Sequence, residues 1–214
     1  MDMYVWFLAP VTLRVDPTRT VVYIADRQIS VRMGQSFWSR GPSLSTRFTA
    51  EDFPGLKQGE NNYAFVLQAT VELTQLLHNV HDILYSSKAR TLQMMFSGDY
   101  NRYLDDFRHA LSVWKDTWAR LELPHNIHSS LHIFNEYVSL YVNAFSFQSV
   151  ATRACMENRQ GSKRRPSLFR QGIMSSADGA YVFEAINAAK RILIMVTTTN
   201  SEAYMRYMPF RIYV

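Results

Sequence analysis

The sequence predicts an all-α fold, an irregular multi-helix bundle in a single, incomplete domain. Apolar residues recur every three or four positions through most of the chain, and strand-like alternation is hard to find over any useful length. Hydrophobic residues make up 47% of the chain and charged residues 19%, as in a packed globular protein. A length of 214 residues suits one domain with a substantial core.

The first long helix is predicted between about Asn62 and Ser86. Apolar residues recur there at helical spacing and polar residues fill the opposite face, which is typical of an amphipathic helix packed on a core. The apolar positions are Val66, Leu73, Leu77, Val80 and Leu84, and the polar ones are Gln68, Glu72, Gln75, Asn79 and Asp82.

A second helix is predicted from about Asp99 to Glu122. Ser97 or Asp99 can cap its start, and Pro124 follows its end. Its apolar positions, again at helical spacing, are Tyr100, Tyr103, Phe107, Leu111, Trp114, Trp118 and Leu121.

Two further helices are predicted, at about Asn126 to Arg153 and Ala177 to Thr199. The former is apolar nearly all round between Tyr137 and Phe147, so we expect it to lie at the centre of the bundle. Its uncharged run is only 16 residues long and contains several polar side chains, which argues against a membrane span. The latter is expected to bury Val182, Ile186, Ala189, Leu193 and Val196.

A basic loop is predicted between these two helices, at residues 156–176. The net charge of +5 is concentrated here, because residues 153–170 contain six basic side chains and one acidic one. This distribution does not favour direct DNA binding, for which basic residues usually line a helix or a face. Lys163, Arg164 and Arg165 form a candidate nuclear-import patch, and Ser167 is a candidate phosphosite. An ordinary solvated loop is the alternative for both.

No residue set indicates catalysis or metal binding, so we predict neither a catalytic residue nor a metal ligand. The one cysteine, Cys155, excludes an intramolecular disulfide, and we expect it to be buried. Two groups of histidines have helical spacing but lack further ligands at a recognisable spacing. They are His78 with His81, and His125 with His128 and His132. Asp105-Asp106 lacks the further carboxylate of a metal-binding motif, and a solvated acidic face explains it better.

The most distinctive stretch is "YIADRQISVRMGQSFWSRGPSLS", Tyr23 to Ser45. Together with "TQLLHNVHDILYSSK", "FSGDYNRYLDDFRHALSVWKDTW" and "LYVNAFSFQSVATRA", it resembles the fungal-specific transcription factor domain, the middle homology region of fungal zinc-cluster regulators. The resemblance covers residues 20–155 well and 177–214 loosely. Residues 1–19 would then be an atypical N-terminal segment, and residues 20–214 a partial regulatory domain.

The resemblance implies a structural motif near the start of this domain. Its counterparts here are Asp26, Arg27, Ser30, Gly34, Arg40, Gly41 and Pro42. We expect Asp26 and Arg27 to end a helix, Arg27 or Arg40 to bind buried carbonyl groups, and Gly41-Pro42 to fix the turn beyond.

The resemblance also implies a role in RNA polymerase II transcription in the nucleus. Zinc is expected only in an N-terminal six-cysteine cluster, which this sequence lacks, so the chain itself needs no cofactor and reaches DNA only through that other domain. The implied partners are transcriptional co-regulators and a second copy in a homodimer, with a small-molecule effector as a further candidate, and no membrane. The alternative is a small all-α enzyme or carrier that encloses an apolar ligand among Trp114, Trp118, Tyr141 and Phe145.

Overall fold

Six helices make up the computed structural model of the chain, which describes residues 17–41, 48, 62–159 and 176–198. They are α1 (Pro17–Met33), α2 (Asn62–Leu84), α3 (Lys88–Ser97), α4 (Tyr100–Trp118), α5 (His125–Arg159) and α6 (Gly179–Thr198). These ranges contain no strand, so the predicted all-α class is confirmed. None of the helices found there is long and apolar enough to cross a membrane.

The core lies where α2, α4 and α5 meet. On α2, Leu73, Leu77, Val80 and Leu84 are fully buried, as the helical spacing predicts. On α5, Val138, Val142 and Phe145 are fully buried too, which confirms the predicted central position of this helix. Gln68, expected on the polar face of α2, is instead buried, and its amide donates to Glu72 at 2.8 Å.

The start of α4 differs in detail from the prediction. Asp99 occupies the N-cap position, but its side chain makes no capping hydrogen bond. Ser97 instead accepts a hydrogen bond from the backbone N–H of Asp99 at 3.3 Å. Tyr100, Phe107, Leu111 and Trp114 are buried as predicted. Leu104, which was not predicted, is buried with them.

Helix α1 differs from the prediction in where it ends, and α3 was not predicted at all. Helix α1 continues to Met33, so the prediction that Asp26 and Arg27 end a helix is wrong. Helix α3 follows α2 after a short turn, and the Ser87 side chain caps its start by accepting from the N–H of Arg90. The ten residues of α3 are too few for a clear periodic signal, since only Met94 and Met95 are buried.

The end of the chain departs from the prediction in three ways. Helix α5 extends six residues beyond Arg153 to Arg159, so the first part of the predicted loop is helical. Cys155 on this extension is exposed, not buried. The buried face of α6 is rotated from the expected one, because Ile186 and Leu193 are 44% and 63% exposed. Val182 is buried as predicted, and Tyr181, Ala185 and Ala188 are the other buried residues of this face.

Candidate functional site

The candidate site begins where α1 ends and the chain turns back along it. Gly34 has φ +61, a left-handed conformation that suits glycine. The N–H of Gln35 donates to the carbonyl of Ser30 at 2.9 Å, which is the bond of a Schellman helix end. Residues 35–41 therefore fold back over the last turns of α1, next to Asp26 and Arg27.

The Asp26 carboxylate is the acceptor that holds this returning segment. It accepts from the backbone N–H groups of Trp38 and Ser39 at 3.1 and 2.9 Å, and from the Ser39 hydroxyl at 2.8 Å. Burial alone would raise the pKa of Asp26, but the hydrogen bonds from Ser39 and Trp38, together with the charge of Arg27, outweigh it and lower this pKa. The carboxylate is thus ionised at neutral pH.

Arg27 completes the cluster through hydrogen bonds and two aromatic contacts. Its guanidinium donates to Asp26 at 2.6 Å and to the carbonyl of Ser39 at 2.9 Å. It lies 4.7 Å from the ring centroid of Tyr23 and 4.2 Å from that of Phe37. Only a planar cation with several donors can make both ring contacts and both hydrogen bonds, which explains why arginine occupies this position.

Phe37 connects this cluster to α2 and, through α2, to the central helix α5. Its ring meets His78 and His81 edge-on, at centroid distances of 4.7 and 5.3 Å. Nδ1 of His81 lies 3.0 Å from the hydroxyl of Tyr141 on α5. Burial lowers the pKa of both histidines and raises that of Tyr141, so this contact joins neutral rings at neutral pH.

The predicted motif residues fall into two groups. Asp26, Arg27, Ser30 and Gly34 lie together, and the Ser30 hydroxyl is 3.4 Å from both the Asp26 carboxylate and the carbonyl of Ser36. Arg40 is exposed and does not belong to this cluster.

The Gly41-Pro42 step can be described only in part. A Cβ atom at Gly41 would lie 2.8 Å from Cε2 of Tyr23, so a larger residue does not fit there. Pro42 lies outside the described residues, as do Lys163, Arg164, Arg165 and Ser167.

A second polar cluster, around Asp178, was missed by the sequence analysis. Asp178 is 7% exposed, pairs with Arg153 and accepts from the hydroxyls of Tyr100 and Ser146. Arg153 also donates to the carbonyl of Met95 at 2.7 Å. The cluster therefore joins α3, α4, α5 and the start of α6. An aspartate one residue before a helix is a readable capping signal, but its distant partners are not readable from the sequence.

The other candidate residues make local contacts. His128 and His132 are neighbours, with their Nε2 atoms 3.2 Å apart, whereas His125 is exposed. In the part of the chain that the structure describes, no group of three or more potential ligands could hold a metal ion. Asp105 accepts from the Tyr181 hydroxyl at 3.0 Å and lies 3.6 Å from Arg108. These contacts support a structural role for Asp105.

The aromatic residues of the ligand-carrier alternative belong to the core. Phe145 is fully buried and packs edge-on against Tyr85 and Tyr100. Trp114 donates to the carbonyl of Ala69 at 3.0 Å, and Trp118 donates to Glu72 at 2.8 Å. Both indole N–H groups therefore have protein partners, which favours a structural role for these rings.

Comparison with known proteins points to transcription. The chain matches no family model, and no solved structure matches it significantly. It is 27% identical over 207 residues to "Transcription factor hmgR" of Aspergillus fumigatus, an alignment that covers 94% of this chain and 27% of that relative. The chain is thus similar to a fungal transcription factor over almost all of its own length, and spans about a quarter of that relative's length.

Proposed function

We propose that the chain is a regulatory, non-DNA-contacting portion of a fungal zinc-cluster transcription factor. It modulates RNA polymerase II transcription of metabolic or nutrient-responsive genes from the nucleus. The observation that carries the proposal is the similarity to a transcription factor along 94% of the chain. The all-α architecture and the assembled Asp26–Arg27 cluster agree with the middle homology region that the sequence resembles.

The charge distribution supports a role that does not depend on DNA contact. Outside residues 153–170 the chain has 17 basic and 17 acidic side chains, so its body is electrically balanced. A DNA-binding surface would need an excess of basic groups to neutralise phosphates. Zinc and DNA contact belong to a six-cysteine cluster, which one cysteine cannot form. The partners of this portion are transcriptional co-regulators and a second copy of the same factor.

The test is a three-part fusion with the 214-residue chain between a heterologous DNA-binding domain and an activation domain. A reporter gene is measured against a matched fusion that carries an inert helical protein of equal length. We expect the chain to change reporter output at equal protein level, and to concentrate in the nucleus of a fungal host. Output identical to that of the inert fusion, with no nuclear enrichment, would contradict the proposal.

A folding control makes this test specific. Arg27→Ala removes the centre of the Asp26–Arg27 cluster, whereas Arg102→Ala removes an arginine from the exposed face of α4. We expect the first variant to lose the effect on the reporter and the second to retain it. Equal reporter output from both variants would show that the effect does not depend on the folded domain.

A further inference from the structure

Trp38 is the most exposed large apolar side chain of the described residues, with 89% of its surface accessible to solvent. Its backbone is nevertheless fixed, because its N–H donates to the Asp26 carboxylate at 3.1 Å and the N–H of Ser39 donates to the same carboxylate at 2.9 Å. Arg27 binds the carbonyl of Ser39 at 2.9 Å. The Asp26–Arg27 cluster therefore presents an indole ring to solvent on a backbone of restricted freedom.

An exposed apolar stripe on α1 lies beside this tryptophan. Val22, Ile29 and Met33 are 55%, 46% and 63% exposed, and they lie four residues before, three after and seven after Asp26. Residues at these spacings share one side of a helix, so the three side chains lie next to the point where the returning segment is bound. We call Val22, Ile29, Met33 and Trp38 the Trp38 patch.

The Trp38 patch is large for a surface without a partner. Nearly all of an indole and about half of each of three other apolar side chains are exposed, which amounts to roughly 400–500 Å² of apolar surface. Contiguous apolar patches of this size commonly mark interaction sites, and tryptophan is one of the residue types that contribute most to binding energy. The fixed backbone adds to this contribution, because less conformational entropy is lost on binding.

Two arginines without an ion pair flank the Trp38 patch. Arg19 is exposed one turn before Val22, and Arg40 is exposed two residues after Trp38. Within the described ranges, neither side chain forms an ion pair or a hydrogen bond. Asp26 cannot pair with them, because its oxygens are already bound by Arg27 and Ser39. The edge of the patch thus offers positive charge that a partner can reach.

This positive charge distinguishes between possible occupants of the patch. A second copy of the chain would bring the same surface from both sides into a two-fold interface. Four arginines would then lie close together, and the Asp26 carboxylates, which are already bound, could not neutralise them. A partner that carries carboxylates beside an apolar face is complementary to both parts of this surface.

We propose that the Trp38 patch binds an amphipathic helix of a partner protein, with large apolar residues on one face and carboxylates beside them. The indole of Trp38 packs among the apolar residues of that helix, and its carboxylates pair with Arg19 and Arg40. The Asp26–Arg27 cluster holds the backbone of Trp38 in place for this contact. That this partner is a transcriptional co-regulator rests on the proposed function, whereas its binding to the purified chain does not.

Three synthetic peptides of equal length test the chemistry of the partner by fluorescence anisotropy on the full chain. The first has leucine and phenylalanine at spacings of three and four residues, with glutamate elsewhere. The second replaces every glutamate with lysine, and the third keeps the composition of the first but distributes its apolar residues evenly around the helix. We expect the first peptide to bind with a Kd of about 10 μM or lower, and at least about tenfold more tightly than the other two.

Matched variants assign the contacts. Trp38→Ser should weaken binding of the first peptide by at least about tenfold, whereas Phe183→Ser, at an exposed apolar position of α6, should not change it. Arg40→Glu should weaken binding by about fivefold, whereas Arg102→Glu, at an exposed position of α4, makes the same change of net charge and should leave binding intact. All four positions are exposed, so we expect these variants to fold.

The accessibility of Trp38 in the free chain distinguishes the other occupants. Hydroxyl-radical oxidation followed by mass spectrometry should modify Trp38 readily in the free chain, and much less when the first peptide is bound. Protection of Trp38 in a free chain that sediments as a monomer would mean that another segment of this chain covers the patch. Protection that is lost as a dimer dissociates would identify a second copy. Either result would overturn the proposal.

Equal binding of the three peptides, or equal binding of the first peptide to the wild type and to Trp38→Ser, would also overturn the proposal. If the first peptide does not bind while the fusion still changes reporter output, only the docking inference is lost. If it binds through Trp38 while the fusion is inert, the docking inference stands without the transcriptional role.

Discussion

At the scale of single residues, Arg27 and Asp26 depend on each other. Arg27 is 6% exposed and Asp26 has a side chain that is 14% exposed, so each charge needs the other as its partner. An isolated charge in such a place would be costly, whereas a hydrogen-bonded pair is tolerated. The pair holds residues 36–39 in place, and its contacts indicate a structural role.

Arg27→Ala should destabilise the protein by about 3 kcal/mol, because the partly buried Asp26 carboxylate loses its charged partner and two ring contacts are lost. Chemical denaturation followed by circular dichroism measures this loss. Arg102→Ala, on an exposed surface, should change stability by less than about 0.5 kcal/mol. An unchanged unfolding midpoint for Arg27→Ala would contradict the role given to this cluster.

Protonation of Asp26 should make the folded protein less stable in acid. The pKa of Asp26 in the folded protein is below the usual 3.8. The ionised carboxylate therefore stabilises the folded state above pH 3.8, and this stabilisation is lost as the pH falls through the folded pKa. Asp26→Asn should therefore be less stable than the wild type by about 1–3 kcal/mol at pH 7, and the gap should narrow below pH 3.8.

The control for this charge change is Asp106→Asn, at an exposed position of α4. It removes the same charge without removing buried hydrogen bonds, so its stability should follow that of the wild type at every pH. A gap between Asp26→Asn and the wild type that stays constant down to pH 2 would show that the carboxylate is not stabilised in the folded state.

At the scale of the elements, two helix junctions set the arrangement. The end of α1 depends on the left-handed conformation of Gly34, which redirects the chain toward Asp26. The start of α6 depends on Asp178, which binds side chains of α4 and α5. In both places a polar contact determines where a helix joins the bundle, while apolar burial supplies most of the stability.

Gly34→Ala should cost about 1 kcal/mol, because alanine is strained at φ +61 while the space around a Cβ atom there is open. Asparagine tolerates this conformation better, so Gly34→Asn should cost less. Urea unfolding of the three proteins measures the order. Equal stability of Gly34→Ala and the wild type would mean that the turn after α1 can change without loss.

The Arg153–Asp178 pair should show strong coupling in a double-mutant cycle. Each of Arg153→Met and Asp178→Asn alone should cost about 3–5 kcal/mol, and the double variant should cost less than their sum, because no unpaired charge remains. The surface pair Arg108–Asp105 is the control and should couple by less than about 1 kcal/mol. Additive losses at Arg153 and Asp178 would contradict a shared role.

At the scale of the whole molecule, the resistance to local unfolding should differ from helix to helix. Helices α2 and α5 carry most of the fully buried side chains, whereas Leu193 and Ile194 near the end of α6 are 63% and 58% exposed. Amide hydrogens of α2 and of the centre of α5 should therefore exchange most slowly, and those of the last turn of α6 much faster. Exchange measured by mass spectrometry tests this order, and uniform protection along α6 would contradict it.

The sequence by itself determined the all-α class, four of the six helices and most of the core positions of α2 and α4. Helical periodicity is a local property, and burial of one apolar face follows from it directly. The resemblance also predicts that Asp26, Arg27, Ser30 and Gly34 belong to one structural motif. It did not show that α1 continues past Arg27, since polar and apolar residues are mixed along that helix.

Only the tertiary structure decided which distant residues meet. The partners of Asp178 lie 25 to 78 positions away in the chain. The buried face of α6 was likewise set by the surface of α5 on which it packs. Such contacts depend on how helices cross and rotate against one another, a global balance of packing and polar pairing that no local pattern encodes.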